Sequence, residues 1–162
     1  MIHNKNKMEN KPVTFQFISE PTDINFGGNV HGGSVMKWID QVGYACASIW
    51  SGTYCVTVYV GGIRFYQPIK IGEIVKLESK VILTGNSSMH ISIDVFSRNV
   101  KEKQFEKKTH CIIVFVAVDE NGKALEVPKW NPLTEKEIQM EQYAIKLKDL
   151  RKNIEDEMKP FL

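Results

Sequence analysis

Between Asn29 and Asp40 the chain reads Asn-Val-His-Gly-Gly-Ser-Val-Met-Lys-Trp-Ile-Asp, and this short stretch carries the residue types of an acyl-transfer site. Asn29 offers an amide, His31 an imidazole, and Asp40 a lone carboxylate among apolar neighbours. The pair Gly32-Gly33 lets backbone approach a ligand closely. A helix that starts at those glycines presents N–H groups without partners and a positive dipole end, which suits an oxyanion. Asp40 follows about two turns later, near the height at which a bound carbonyl is attacked. An oxyanion site, a carboxylate and a polar amide are what hydrolysis of an activated acyl group requires. Each residue also has a plainer reading. Asp40 could be a helix carboxylate paired with Lys37 or another cation, and His31 a hydrogen-bonding residue that fixes the loop.

The elements that position these groups are legible from periodicity. Val35, Met36, Ile39, Val42, Gly43, Cys46, Ala47, Ile49 and Trp50 wrap most of one surface, which predicts a buried helix over residues 33–51. Ser51-Gly52 is its stop signal. Before it, alternation over residues 13–19 predicts a short strand, followed by a turn-rich stretch from Pro21 to Asn29. From residue 54 the period becomes two. Val56, Val58 and Val60 share a face; so do Val75, Leu77, Val81 and Leu83; so do Met89, Ile91, Ile93 and Val95; so do Ile112, Val114, Val116 and Val118. Gly61-Gly62, Pro68, Gly72 and Gly85-Asn86 supply the turns between them. One buried helix with a curved antiparallel sheet around it is an α+β layout. Phe65, Tyr66, Phe96 and Phe115 interrupt the polar face of that sheet, which suggests a meeting place for a partner subunit. Residues 134–159 predict a second helix, with Met140, Tyr143, Leu147, Leu150 and Ile154 as a narrow stripe on a charged rod. Docking on its own body is the first reading of that stripe, and a subunit contact the second.

Bulk properties narrow the function. The chain has 162 residues, enough for one domain with a sizeable core. We divide it into an N-terminal tail (1–11), a body (12–132) and a C-terminal helical extension (133–162). A formal charge of +2, and charges that alternate in sign along the last helix, argue against nucleic acid. No stretch approaches the ~20 apolar residues of a membrane span, and the polar start lacks a signal peptide's apolar core. Cys46, Cys55 and Cys111 are odd in number and show no Cys-x-x-Cys spacing, which predicts reduced core thiols and a cytoplasmic protein. No ligand cluster and no nucleotide-cofactor fingerprint is present, so neither metal nor organic cofactor is expected.

The motif Gly-Asn-Val-His-Gly-Gly-x3-Lys-x2-Asp at residues 28–40 resembles the acyl-CoA thioesterases of the hot-dog fold, in the branch of the cytosolic acyl-CoA hydrolases. Pro21-Thr-Asp-Ile-Asn25, Val56-Thr-Val with Ile63, Phe65 and Pro68, Gly72-Glu73, Gly85-x-Ser87-Ser88-Met89, and Phe115-Val-Ala-Val-Asp119 with Gly122 and Pro128 are similar to the family in the same order. The resemblance covers about residues 13–130. It implies a long central helix wrapped by a five- or six-stranded antiparallel sheet, paired edge to edge into a homodimer, with dimers gathering into hexamers. It implies hydrolysis of a fatty acyl-CoA to free acid and CoA, with CoA present only as part of substrate and product. The catalytic Asp falls on Asp40 and the catalytic Asn on Asn29, contributed by different subunits. Backbone near His31, Gly32 and Gly33 would hold the oxyanion, with Asp40 as general base or as nucleophile. Ser87, Ser88, Arg98 and Asn99 are candidates to hold CoA, although turn chemistry also accounts for the serines. Two rival readings stand beside this one. A non-catalytic acyl-CoA sensor usually carries a DNA-binding segment, and no helix-turn-helix pattern is visible. A hot-dog hydratase would place a His on the central helix, and this helix has none.

Overall fold

The computed structural model describes residues 9–162. Most of the predicted tail, residues 1–8, lies outside the described residues. The end of that tail is tied to the body, since Asn10 Nδ2 donates to the carbonyl of Val81 at 2.8 Å.

Among the described residues five strands form one antiparallel sheet: β1 (Val13–Ile18), β2 (Cys55–Gly61), β3 (Ile74–Thr84), β4 (Ser88–Arg98) and β5 (Glu106–Ala117). Their order across the sheet is β1-β3-β4-β5-β2, so β2 is an edge. Helix α1 (Gly32–Ser51) lies against one face and helix α2 (Glu135–Met158) against the other. The α+β layout, the single long helix and the final helix agree with expectation, and the sheet has five strands.

Helix α1 is held at both ends. His31 caps its start and Gly52, in the left-handed region at φ 72°, closes it. Val35, Trp38, Ile39, Val42, Cys46, Ala47 and Trp50 are buried against the sheet. Gly43 sets how near the helix can come. A Cβ placed there would stand 2.8 Å from Phe115 Cε2 and 3.0 Å from Ile113 Cγ2, closer than packed carbons approach. Trp50 Nε1 donates to the carbonyl of Pro128 at 2.8 Å and pins the segment that leaves β5.

The core face of β5 differs from the expected one. Ile113 and Phe115 face α1, whereas Ile112 and Val114 face α2. Phe115, read from sequence as part of the sheet's polar face, is 1% exposed. The physical reason is that β5 is covered on both sides, so alternation no longer separates apolar from polar positions. Phe65 and Tyr66 are exposed, but on the loop after β2 rather than on the sheet.

Helix α2 docks first on its own body. Thr134 and Glu137 form a reciprocal cap, and Glu137 also pairs with Lys80 of β3 at 3.1 Å. The backbone N–H groups of Leu133 and Thr134, which donate to its carboxylate, with Lys80 behind them, hold the Glu137 carboxyl down at about 2. Further along, His110 bonds Asp94 Oδ1 at 2.8 Å and the Tyr143 hydroxyl at 3.0 Å. Beyond Arg151 every residue of the helix is exposed, including Ile154 and Met158.

Candidate functional site

The loop before α1 is stitched by Asn25. Its side-chain oxygen accepts from the N–H of Gly27 at 2.8 Å and of Asn29 at 3.1 Å, while its own N–H donates to the Asn29 carbonyl at 2.7 Å. Gly28 takes φ 84°, which a side chain would resist, and lets the loop turn back. Asn29 then bridges to Lys70, and the Val30 N–H donates to the Ile69 carbonyl at 2.8 Å. His31 Nδ1 accepts from the Gly33 N–H at 2.9 Å. The imidazole therefore fixes the start of the helix, and it already engages one of the two glycine N–H groups expected to face an oxyanion.

Asp40 is exposed on the outer side of α1. Its Oδ1 accepts a hydrogen bond from Thr57 Oγ1 of β2 at 2.6 Å. Among the described residues no ion pair involves Asp40, so the pairing with Lys37 does not form. Tyr44, one helical turn on, packs its ring 6.0 Å from Tyr54 and 6.5 Å from Phe115. The carboxylate thus sits near the exposed rings of Tyr44 and Tyr54, beside a strand with one unpaired side among the described residues. Met36 and Tyr44 of α1, Tyr54, Val58 and Val60 at β2, and Phe65 beyond it are exposed.

Asn29 and Asp40 do not meet within one chain. Asp40 lies about 12 Å along the helix axis from Gly32, at 1.5 Å per residue, and both asparagines precede Gly32. The loop amides thus stand before the start of α1, and the carboxylate stands midway along it.

The four CoA candidates are not brought together. Ser87 and Ser88 stand at the start of β4 and Arg98 and Asn99 at its end, roughly 33 Å apart at 3.3 Å per residue. The serine carbonyls accept turn and sheet N–H bonds from Ala117 and Gly85. Arg98 Nη1 donates to the Glu102 carbonyl at 2.7 Å, and its guanidinium lies 5.2 Å above the Phe105 ring. Asn99 Oδ1 accepts from the Lys101 N–H at 3.0 Å. Arg98 and Asn99 also line a surface depression of about 820 Å³ together with Lys70, Lys101, Lys103 and Lys108, where the cations outnumber the carboxylates of Glu73, Glu102 and Glu106. Lys70 links this basic depression to the Asn29 loop.

The thiols of Cys46 and Cys111 are pushed by burial to about 11 and about 12, so both are packing residues. Among the described residues no group of three or more His, Cys, Asp or Glu side chains could hold a metal ion, and no helix is long and apolar enough to cross a membrane. Sequence reasoning missed Thr57 and gave Asn25 no role. The one signal for Thr57 was a polar residue in an otherwise apolar strand, and that alone did not indicate which side chain it would reach.

Comparison with known proteins places the chain among relatives. The profile of the Thioesterase superfamily matches residues 27–103. The acyl-CoA thioester hydrolase YciA of Salmonella typhimurium is 30% identical over 127 residues, covering 75% of this chain and 96% of its own. Among solved structures, an apo-hexameric acyl-CoA thioesterase superposes with a TM-score of 0.83 at 30% identity, over 88% of this chain and 91% of its own. An acyl-CoA hydrolase of Staphylococcus aureus, solved with butyryl-CoA, CoA and CoA disulfide, gives 0.84 at 26% identity, over 93% and 92%. Further structures of that enzyme carry single alanine substitutions at an aspartate, at an asparagine fifteen residues before it, and at a threonine seventeen residues after it.

Proposed function

This chain belongs to the thioesterase superfamily, among the acyl-CoA thioester hydrolases, and from that premise we propose that its catalytic site is built across two copies, with Asp40 and Thr57 of one facing the Asn25–Asn29 loop of the other. The reaction is hydrolysis of an acyl-CoA to the free acid and CoA. The observation that carries the site is the Asp40–Thr57 hydrogen bond at an unpaired sheet edge. These two residues are seventeen apart, the spacing of the aspartate and threonine substituted in the Staphylococcus aureus enzyme. The substituted asparagine of that enzyme lies fifteen residues before its aspartate, which corresponds to Asn25 here, whereas Asn29 lies eleven before Asp40. We therefore assign the catalytic amide to Asn25 first, with Asn29 as the residue whose backbone holds it.

The chemistry follows from this placement. The thioester oxygen points to the start of the partner's α1, where N–H groups and the dipole stabilise the developing charge. Asp40 takes a proton from water as the water attacks the carbonyl carbon. The tetrahedral intermediate then expels CoA as thiolate, which takes up a proton. In the alternative route Asp40 attacks directly and water cleaves the mixed anhydride. Thr57 holds the carboxylate in one rotamer and leaves its second oxygen free. The β2 edge of each copy, with Val58 and Val60 exposed on it, pairs with its counterpart to complete the sheet and close the site from water. Dimers built this way gather into the hexamer that the solved relative forms. Neither a metal nor an organic cofactor is needed, and the basic depression at Arg98 and Lys70 takes the phosphates of CoA.

A thiol-release assay on acyl-CoAs of graded chain length tests the reading. We expect turnover in the wild type, and a fall in kcat of roughly 10²–10⁴-fold in Asp40→Asn, the range for loss of a general base. Full turnover in Asp40→Asn protein of normal stability would end the mechanism. Raising the salt should raise KM more than it lowers kcat, because exposed phosphate contacts are screened.

A further inference from the structure

On the sheet face away from α1, α2 leaves a cavity of about 210 Å³ over β5, β4 and the end of β2. Ile112, Val114, Leu147 and Ile154 form apolar walls. His90 also lines it. This histidine is 4% exposed, and among the described residues neither ring nitrogen has a hydrogen-bond partner. Arg151 and Lys148 of α2 stand at the same cavity, the guanidinium 4.9 Å from the centre of the Tyr59 ring. The hydrolytic reading uses none of these groups. Thr57 pairs in register with Phe115, which faces α1, whereas His90 pairs with Val114, which faces α2.

A buried imidazole with both nitrogens unpaired is costly, and a leucine or phenylalanine would fill the same place without that cost. An imidazole so placed, in an apolar hollow beside cations, suits an occupant with an anionic head and an aliphatic body. We propose that this cavity binds a short aliphatic carboxylate, its head between His90 and Arg151 and its chain along Val114, Leu147 and Ile154. One ring N–H and the guanidinium supply charge-assisted donors to the carboxylate. Arg151 is shared with Glu155 at 3.3 Å in the free protein, an exchange that a bound carboxylate replaces. A hollow of about 210 Å³ has room for an acid of a few carbons. Acids of this class are what acyl-CoA hydrolysis releases. The site lies on the other side of the sheet, so its occupancy is tested without reference to turnover.

Sodium acetate, butyrate, hexanoate and octanoate are titrated into the full chain by calorimetry, with histidine-labelled NMR to follow the His90 ring. Saturable binding is expected, tightening roughly fourfold per added methylene until the cavity is full, with a shift of the His90 resonances. Arg151→Gln should weaken hexanoate at least tenfold, and His90→Phe, which fills the hollow, should abolish it. Three results overturn the proposal. The first is no His90 shift up to tens of millimolar hexanoate, which means the cavity holds water only. The second is hexanol binding as tightly as hexanoate, which removes the role of the charge. The third is hexanoate binding that survives in folded His90→Phe, which places it elsewhere. If His90→Phe does not fold, the wild-type titration and Arg151→Gln decide the matter.

Discussion

The smallest unit that matters is a pair, Asp40 and Thr57, joined by a 2.6 Å hydrogen bond between a helix and an edge strand. A carboxylate on an exposed helix face has several rotamers, and the hydroxyl selects one. Thr57→Val, which keeps the shape and removes the donor, should therefore lower kcat/KM by about tenfold, the worth of one hydrogen bond to a charged group. Thr57→Ser should restore most of it; equal kinetics for all three would remove Thr57 from the mechanism. The two loop asparagines can also be told apart. Asn25→Ala loses both the proposed catalytic amide and the acceptor that holds Gly27 and Asn29. Asn29→Ala keeps every one of those backbone bonds. Steady-state kinetics should show the larger loss of kcat in Asn25→Ala, and the reverse order would return the catalytic role to Asn29.

At the scale of elements, the approach of α1 to the sheet rests on Gly43. The place for a methyl group there is occupied by the Phe115 ring and Ile113. Gly43→Ala should cost about 1–3 kcal/mol, as overpacking of a filled core does, although alanine is the better helix former. Chemical denaturation would show it, and an unchanged midpoint would mean that the helix can shift away freely. The other face of the sheet is governed by α2. It buries His90 and holds that imidazole near 4, first through desolvation and then through the charges of Arg151 and Lys148. His110, Tyr143, Cys111 and Tyr59 complete the titratable surroundings of the cavity. An ordinary imidazole titrates near 6.5, so between 6.5 and 4 the unfolded chain binds a proton at this position that the folded chain refuses. Stability should be untouched by His90 above that window and should fall through it with acidification, at up to about 1.4 kcal/mol per pH unit. In His90→Phe the acid limb of the stability curve should be shallower over that same range, and parallel limbs would contradict the assignment.

At the scale of the whole molecule, the loop amides precede α1 and Asp40 lies about two turns along it, and the proposed site brings them together from two copies. Asn25→Ala and Asp40→Asn chains, each nearly inactive, can be unfolded and refolded together in equal amounts. By symmetry each mixed dimer then holds one site with both lesions and one with neither. Random pairing makes about half of the dimers mixed, so about a quarter of the sites should recover. Activity no better than the sum of the two mutants, with mixed dimers confirmed by mass spectrometry, would place both residues in one chain's site. What the sequence by itself determined was local and periodic. The buried helix, its glycine stop, the strands and the Asn-to-Asp motif all follow from spacing along the chain, because helix and strand periods and turn chemistry act over a few residues. Tertiary structure decided whatever depends on which surfaces meet. Phe115 joined the core because it faces α1, and α2 buries the opposite face of β5 as well, which erased the alternation that would have marked its side. Ser88 and Arg98 parted company because one strand separates them by its full length. Thr57 gained its role only when β2 came to lie beside α1, since a side-chain contact across seventeen residues leaves no periodic trace in the chain.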